Sequence, residues 1–169
     1  MRWATEMGQG AKGTGQGGNF WSFMATVGGL GYAPVAPGTW GSIAGLALGV
    51  VIVHYLRQPV SWMVLAVSWV ASAAICTQAE QALDRHDPPS VILDEVLGMA
   101  SVPVILPEVV AEWSLLIIAL ALFRVFDIIK PFPLKRLATL PVGWGIVADD
   151  AGAAAYTCLV LWIVSRVIQ

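Results

Sequence analysis

The chain has 169 residues, the usual size of a single domain. Charged residues make up 12% of the sequence and apolar residues 57%, whereas a soluble domain typically carries about 25% charged residues. With a mean hydropathy of +0.75 and a formal net charge of -2, the composition excludes a disordered chain, a basic nucleic-acid-binding domain and an ordinary water-soluble enzyme. It predicts a membrane protein with no nucleic-acid partner.

The first residues of the chain differ in composition from the rest. Residues 1–18 contain six glycines, which is typical of a flexible tail. We expect one helical domain over residues 19–169. Cys76 and Cys158 both lie in apolar runs, so we expect two core residues and no disulfide framework.

Apolar runs between the few charges predict five helical segments. A crossing of the bilayer needs roughly 20 apolar residues, and the run that begins at Val60 reaches this length alone. The shorter runs reach it only if their flanking charges belong to the helix ends. We expect an all-α fold, a compact helical membrane protein with about four to five membrane-embedded helices. The segments are 42–56, 60–80, 91–106, 109–129 and 150–168.

Threading these segments alternately across a bilayer separates the cations into two groups. Arg57 and Arg166 fall on one side, and seven cations fall on the other. By the positive-inside rule, the side with seven cations is cytoplasmic. Two of them, Lys135 and Arg136, suit contact with anionic lipid head groups. The seven are Arg2, Lys12, Arg85, Arg124, Lys130, Lys135 and Arg136.

The first polar cluster on that side covers residues 36–45. Thr39 or Ser42 could cap the apolar helix that follows. The alternative is an anion site, because free N–H groups at a helix N-terminus attract negative charge and small residues allow a phosphate to approach the backbone. Such a site would use Pro37, Gly38, Thr39 and Ser42.

The second cluster places Asp94 and Glu95 side by side in an otherwise apolar helix. Ionisable groups within a membrane usually face a cavity, a partner or an ion, which favours metal ligation. The alternative is that both lie in the last helical turn, in water.

The third cluster repeats a charge every three residues. Arg124, Asp127 and Lys130 therefore lie near one helix face, and Pro131 ends the helix. One interpretation is a ladder of ion pairs at a helix C-terminus. The other is a phosphate clamp of Arg124 and Lys130, with Asp127 holding a metal or orienting a cation.

The fourth cluster is a glycine-flanked turn that brings Asp149 and Asp150 to the start of the last helix. An N-cap role explains one aspartate but not two. Because the clusters supply carboxylates and no group of histidines or cysteines, they favour magnesium or calcium over zinc. The candidate catalytic carboxylates are Asp94, Glu95, Asp127, Asp149 and Asp150.

The order of these blocks, APGTWGS, DEVLG, FRVFDIIKPFP and GIVADDAGA, resembles the phosphatidylglycerophosphatase A family over residues 28–156. The resemblance implies a Mg²⁺-dependent enzyme of the bacterial inner membrane. Its substrate would be phosphatidylglycerophosphate, whose terminal phosphomonoester is hydrolysed to give phosphatidylglycerol and phosphate. The matching positions are Pro37, Gly38, Thr39, Asp94, Glu95, Arg124, Asp127, Lys130, Pro131, Asp149 and Asp150.

On this hypothesis the carboxylates divide the chemistry between them. Asp149 and Asp150 would hold Mg²⁺ with help from Asp94 or Glu95, which lowers the pKa of a bound water. Glu95 or Asp127 would take the proton of that water. A covalent aspartyl-phosphate route stays open, since a carboxylate can also act as the nucleophile.

Arg124, Lys130 and the N–H groups near Thr39 would neutralise charge on the phosphoryl group.

An ion-coupled transporter is the alternative class, because carboxylates in short broken helices are also expected there. The gathering of charges at one membrane face, away from the bilayer midplane, speaks against it. A phosphatidyltransferase would carry two widely spaced aspartates on one helix, and this sequence lacks that pattern. A purely structural protein would not need five grouped carboxylates. The oligomeric state stays open.

Overall fold

The computed structural model describes residues 16–85, 88–140 and 144–168. Within these ranges the chain forms seven α-helices, two short 3-10 helices and no strand, which confirms the all-α prediction. The 3-10 helices are Leu30–Tyr32 and Pro107–Ala111. The α-helices are α1 (Gln16–Ala25), α2 (Pro37–Tyr55), α3 (Val60–Leu83), α4 (Leu93–Ile105), α5 (Trp113–Ile129), α6 (Leu134–Leu137) and α7 (Trp144–Ile168).

Helix α1 was not among the predicted segments. It includes residues 16–18 of the expected tail, and the rest of that tail lies outside the described residues. α1 packs along α3. The backbone N–H of Ile92, just before α4, donates to the carbonyl of Ala25 at 3.0 Å. The end of α1 is therefore tied to the start of the central helix.

Helix α2 begins five residues before the predicted start, at Pro37. Proline suits the first helical position, because its fixed φ is helical and it has no N–H to leave unpaired. The preceding residue, Ala36, is left-handed with φ 48 and makes no side-chain cap. The interpretation of Thr39 or Ser42 as a cap is therefore wrong, since both lie inside the helix.

Helix α7 likewise starts early, at Trp144. Asp149 and Asp150 thus lie in its second turn, where their N–H groups already have helical partners. Capping explains neither aspartate, so that interpretation is also wrong.

Three helices are long and apolar enough to cross a membrane: α2, α3 and residues 144–166 of α7. α4 has 13 residues and α5 has 17. At 1.5 Å per residue these two helices are roughly 20 and 26 Å long, short of the ~30 Å hydrocarbon core. The protein is a membrane protein in which two of the five predicted segments fall below crossing length.

Helices α2 and α4 run parallel and in close contact. A Cβ at Gly45 would lie 2.2 Å from the carbonyl oxygen of Val96, and one at Gly49 would lie 2.6 Å from that of Ala100. Only glycine permits this approach of two backbones. Because successive turns of the two helices meet in the same order, their N-termini lie at the same end of the bundle.

Helix α4 lies at the centre of the bundle, and ten of its 13 residues are buried. α3 runs antiparallel to it: the indole N–H of Trp69 donates to Ser101 Oγ at 3.1 Å, and that of Trp62 donates to the Val104 carbonyl at 3.3 Å. α7 and α5 pack on the other side of α4, around a core that includes Met99 and Phe123.

The alternating order gives the bundle two distinct ends. The cavity end contains the N-termini of α2, α4 and α7 and the C-termini of α3 and α5. The far end contains the connection 56–59, the 3-10 helix Pro107–Ala111 and the C-terminus of α7.

Candidate active site

A cavity of about 350 Å³ opens at the cavity end of the bundle. Residues from four separate segments line it, which are the segments that contain the four predicted clusters. All five predicted carboxylates and both predicted cations of the clamp contribute to the lining. These polar residues are Asp94, Glu95, Arg124, Asp127, Lys130, Asp149 and Asp150.

The carboxylates of the cavity are buried to an unusual degree. Asp94 is 6% exposed, and Asp150 is 2% exposed. Asp94 Oδ1, Glu95 Oε2 and Asp150 Oδ2 are buried without a hydrogen-bond partner. Because a buried, unpaired carboxylate costs several kcal/mol or more, this arrangement points to a positively charged ligand.

Asp94 and Glu95 lie in the first turn of α4. The alternative of a solvated last turn is therefore wrong. The partial positive charge of a helix N-terminus stabilises carboxylates at this position. Burial and then the charge of Glu95 raise the pKa of Asp94, so Asp94 binds a proton more readily than an exposed carboxylate does.

Arg124 and Lys130 form different ion pairs. Arg124 Nη1 lies 2.7 Å from Asp127 Oδ2, three residues along the same helix. Lys130 ends α5 in the left-handed conformation, with φ 46, and its ammonium group binds Asp149 of α7. Burial lowers the pKa of Lys130. The hydrogen bond to Asp149 and the charges of the surrounding carboxylates raise it by more, so the net shift of the Lys130 pKa is upward. The predicted ladder thus forms within α5 only between Arg124 and Asp127.

The N-terminus of α2 closes one side of the cavity through Pro37 and Gly38. A Cβ at Gly38 would lie 2.5 Å from Glu95 Oε1 and 3.1 Å from Arg124 Nη1. The absence of a side chain at this position is therefore what allows Glu95 and Arg124 to approach the helix terminus.

Thr39 and Ser42, which the sequence placed with the phosphate site, are not among the lining residues. The Thr39 N–H already donates to the carbonyl of Ala36 at 2.9 Å. Ser42 is buried, its hydroxyl donates to the Gly38 carbonyl at 2.9 Å, and Arg124 Nη1 donates to Ser42 Oγ at 3.5 Å. Ser42 thus lies behind Arg124 and orients it.

Sequence reasoning missed the remaining walls of the cavity. Ala36, Pro89, Val91 and Ile146 complete the lining. Nothing in the sequence indicated that the segment before α4, which contains Pro89, borders the site. The Tyr156 hydroxyl donates to the carbonyl of Phe132 at 2.8 Å and fixes the segment that follows Lys130, also without a local signal.

Two groups of carboxylates could each hold a metal ion. Within each group, ligand oxygens lie within 4.8 Å of one another, and Asp150 belongs to both. All the donors are oxygens, which suits Mg²⁺ or Ca²⁺. Cys76 and Cys158 are buried and are absent from the cavity lining. The groups are Asp94, Glu95 and Asp150, and Asp127, Asp149 and Asp150.

Comparison with known proteins gives a consistent result. A family model described as phosphatidylglycerophosphatase A matches residues 23–165. A phosphatidylglycerophosphatase A of Haemophilus influenzae is 35% identical over 80% of this chain and 83% of its own length. The Escherichia coli protein of the same name is 27% identical over 88% of this chain and 85% of its own length.

A third relative, from Bacteroides thetaiotaomicron, has a name that gives phosphatidylinositol-3-phosphatase as its proposed activity. It is 30% identical over 83% of this chain and 90% of its own length. No solved structure matches the chain significantly.

A helical membrane fold with a carboxylate-lined cavity, together with these relatives, defines an enzyme of the phosphoric monoester hydrolase class. The chain belongs to the phosphatidylglycerophosphatase A family. The resemblance drawn from the four sequence blocks is thereby confirmed.

Proposed function

We propose that this protein is a Mg²⁺-dependent lipid phosphatase of the bacterial inner membrane, with its cavity facing the cytoplasm. Its reaction would convert phosphatidylglycerophosphate and water into phosphatidylglycerol and inorganic phosphate. The observation that carries the proposal is the meeting of five carboxylates and two cations in one cavity beside membrane-crossing helices.

The terminal phosphate would lie between the N-terminus of α2 and the two cations. Gly38 presents backbone without a side chain, and a helix N-terminus attracts anions. Arg124 supplies planar paired donors and Lys130 a compact positive charge, both of which neutralise phosphoryl oxygens as charge develops. These cations now pair with Asp127 and Asp149, and they would share those contacts with the substrate.

The residues present fit a hard divalent cation. The unpartnered oxygens of Asp94 and Asp150 are buried and lie at the cavity, and the donor set contains only oxygens. Mg²⁺ would be held by one of the two groups that share Asp150, either Asp94, Glu95 and Asp150 or Asp127, Asp149 and Asp150. When bound, it would act as a Lewis acid and lower the pKa of water.

Glu95 or Asp127 would accept the proton of the attacking water. The oxygen of that water forms the new bond to phosphorus while the bond from phosphorus to the glycerol oxygen breaks. The glycerol oxygen must then receive a proton, for which the proton taken by the carboxylate is available. An aspartyl-phosphate route would instead make a cavity carboxylate the nucleophile.

Phosphate release by the purified protein in detergent tests this function. With Mg²⁺ present, we expect turnover of phosphatidylglycerophosphate. Phosphatidylinositol 3-phosphate, the substrate class suggested by the name of the third relative, is the comparison substrate. An ion-coupled transporter would release no phosphate from either lipid, and faster turnover of the inositol lipid would overturn the proposed substrate.

The orientation has its own test. Thr139 is exposed near the cavity end, and Gln58 is exposed at the far end. We expect Thr139→Cys to react with an impermeant maleimide only from the cytoplasmic side, and Gln58→Cys only from the other side. The native cysteines are buried and should give little background. Labelling of Thr139→Cys from outside would contradict a cytoplasmic cavity.

A further inference from the structure

The two carboxylate groups of the cavity share one residue. Asp94, Glu95 and Asp150 form one triad, which we call the α4 triad. Asp127, Asp149 and Asp150 form the other, which we call the α5 triad. In each, one oxygen per residue lies within 4.8 Å of the others. Because a carboxylate has two oxygens, Asp150 can contribute to both triads at once.

The second triad keeps ligand capacity despite its ion pairs. The salt bridge to Arg124 occupies Oδ2 of Asp127, and the one to Lys130 occupies Oδ2 of Asp149. Each carboxylate carries another oxygen and further lone pairs on the occupied one. In the α4 triad, Asp94 Oδ1 and Asp150 Oδ2 are buried and unpartnered, on residues only 6% and 2% exposed.

The net charge of the cavity lining favours two bound divalent cations over one. Five carboxylates against Arg124 and Lys130 give the described lining a net charge of minus three when all are ionised. One divalent cation would leave minus one, which repels a phosphomonoester dianion. Two would give plus one, which attracts it.

We infer that the cavity binds two divalent cations bridged by Asp150, one in the α4 triad and one in the α5 triad. This deepens the proposed function and depends on it for its catalytic meaning. A pair of cations can stabilise the attacking and the leaving oxygens of an in-line displacement together, which one cation cannot do.

The two positions differ in the competition that a cation meets. In the α5 triad it competes with the ion pairs of Lys130 and Arg124, whereas Asp94 Oδ1 and Glu95 Oε2, which belong to the α4 triad alone, are buried without a hydrogen-bond partner. We therefore expect the α4 triad to fill first and the α5 triad at higher cation concentration.

Mn²⁺ is the probe, because it takes the same oxygen ligands and is paramagnetic. Equilibrium dialysis of the full chain in detergent should give two Mn²⁺ per chain. Electron paramagnetic resonance of the saturated protein should show coupling between the two ions. Asp127→Asn and Glu95→Gln should each bind one ion and lose the coupling signal, while Asp150→Asn should weaken both positions.

Glu108→Gln is the matched control, since Glu108 is an exposed carboxylate at the far end. It should bind two ions. Circular dichroism and size-exclusion profiles identify any variant that fails to fold. For such a variant, the wild-type stoichiometry and coupling signal still decide the question.

One Mn²⁺ per wild-type chain at saturation, or two uncoupled ions, would overturn the inference. Two ions retained by Asp127→Asn would overturn it as well. These outcomes differ from failure of the proposed function. Two coupled ions without phosphate release would support the two-cation site and reject the proposed substrate. Phosphate release with one bound ion would support the proposed function and reject the two-cation site.

Discussion

Both ends of the bundle carry exposed charges, such as Arg85 and Lys135 at the cavity end, but in the described part of the chain only the cavity end buries a group of carboxylates. At the far end, Arg57, Glu108, Glu112 and Arg166 are all exposed. At the cavity end, Asp94, Asp149 and Asp150 are 6%, 4% and 2% exposed. Exposed charges change the free energy of folding little, whereas burying carboxylates carries a large desolvation cost.

Strained backbone conformations also occur at the cavity end. Non-glycine residues with positive φ include Ala36 and Lys130, both of which line the cavity. Such conformations cost of order 1 kcal/mol each and persist where surrounding structure holds them. The cavity end is therefore assembled at the expense of local stability, as expected for a site that binds charge.

The largest effect is expected from Asp150→Asn, which removes a buried charge from the cavity end. Asparagine keeps the size of the side chain and removes the charge that both triads share. We expect phosphate release to fall by about three orders of magnitude, because cation binding and charge stabilisation are lost together. Glu112→Gln, an exposed far-end change of the same type, should retain normal turnover. Near-normal turnover by Asp150→Asn would show that its burial is structural.

Lys130→Met tests the clamp. Methionine keeps an apolar stem and removes the ammonium group that binds Asp149. Phosphate release should fall about 100-fold, which is the usual cost of losing one preorganised contact to the transition state. Steady-state kinetics should place the loss mainly in kcat. A change confined to KM would show that Lys130 only helps the substrate to bind.

Gly38→Ala tests the close approach of α2 to the carboxylates. The new Cβ would lie 2.5 Å from Glu95 Oε1, so Glu95 and Arg124 must shift. We expect turnover to fall about tenfold, because small displacements of catalytic groups are costly. Gly152→Ala is the control: its Cβ would meet Leu134 Cγ at 3.0 Å, outside the cavity lining. Equal losses in both variants would indicate general crowding.

The smallest effect is expected at the far end. Arg57→Gln removes an exposed cation from the connection between α2 and α3. Stability should change by no more than about 0.5 kcal/mol, and turnover should not change. Thermal unfolding and phosphate release measure the two quantities. A large loss of turnover would mean that the two ends are coupled.

Much of this site could be predicted from the sequence because its chemistry lies in short local blocks. Adjacent carboxylates such as Asp149 and Asp150 stand out in a chain with 12% charged residues. The repeat predicted one helix face correctly for Arg124 and Asp127, whereas Lys130 lies just past the helix end and binds Asp149. Alternate threading then brought the blocks to one end without any knowledge of packing.

The helix starts and the inner positions of the site could not be predicted in this way. Proline at the start of α2 allowed an earlier beginning than the capping residues suggested, so Thr39 and Ser42 lie inside the helix. The contact of Ser42 with Arg124 depends on the packing of α2 against α5, which the sequence does not indicate. The parallel contact of α2 with α4 depends on two backbones meeting at Gly45 and Gly49, which is a tertiary event. Likewise, α4 and α3 are both apolar, and only packing shows that α4 is the buried one.

Dependence of the reaction on a divalent cation is tested by measuring phosphate release from phosphatidylglycerophosphate before and after divalent cations are removed. The purified protein in detergent should release phosphate with Mg²⁺ present and stop when a chelator is in excess. Activity should return when Mg²⁺ is restored, whereas Zn²⁺ should restore it poorly, since an all-oxygen site suits a hard cation. Full activity in excess chelator would show that the cavity carboxylates do not act through a divalent cation.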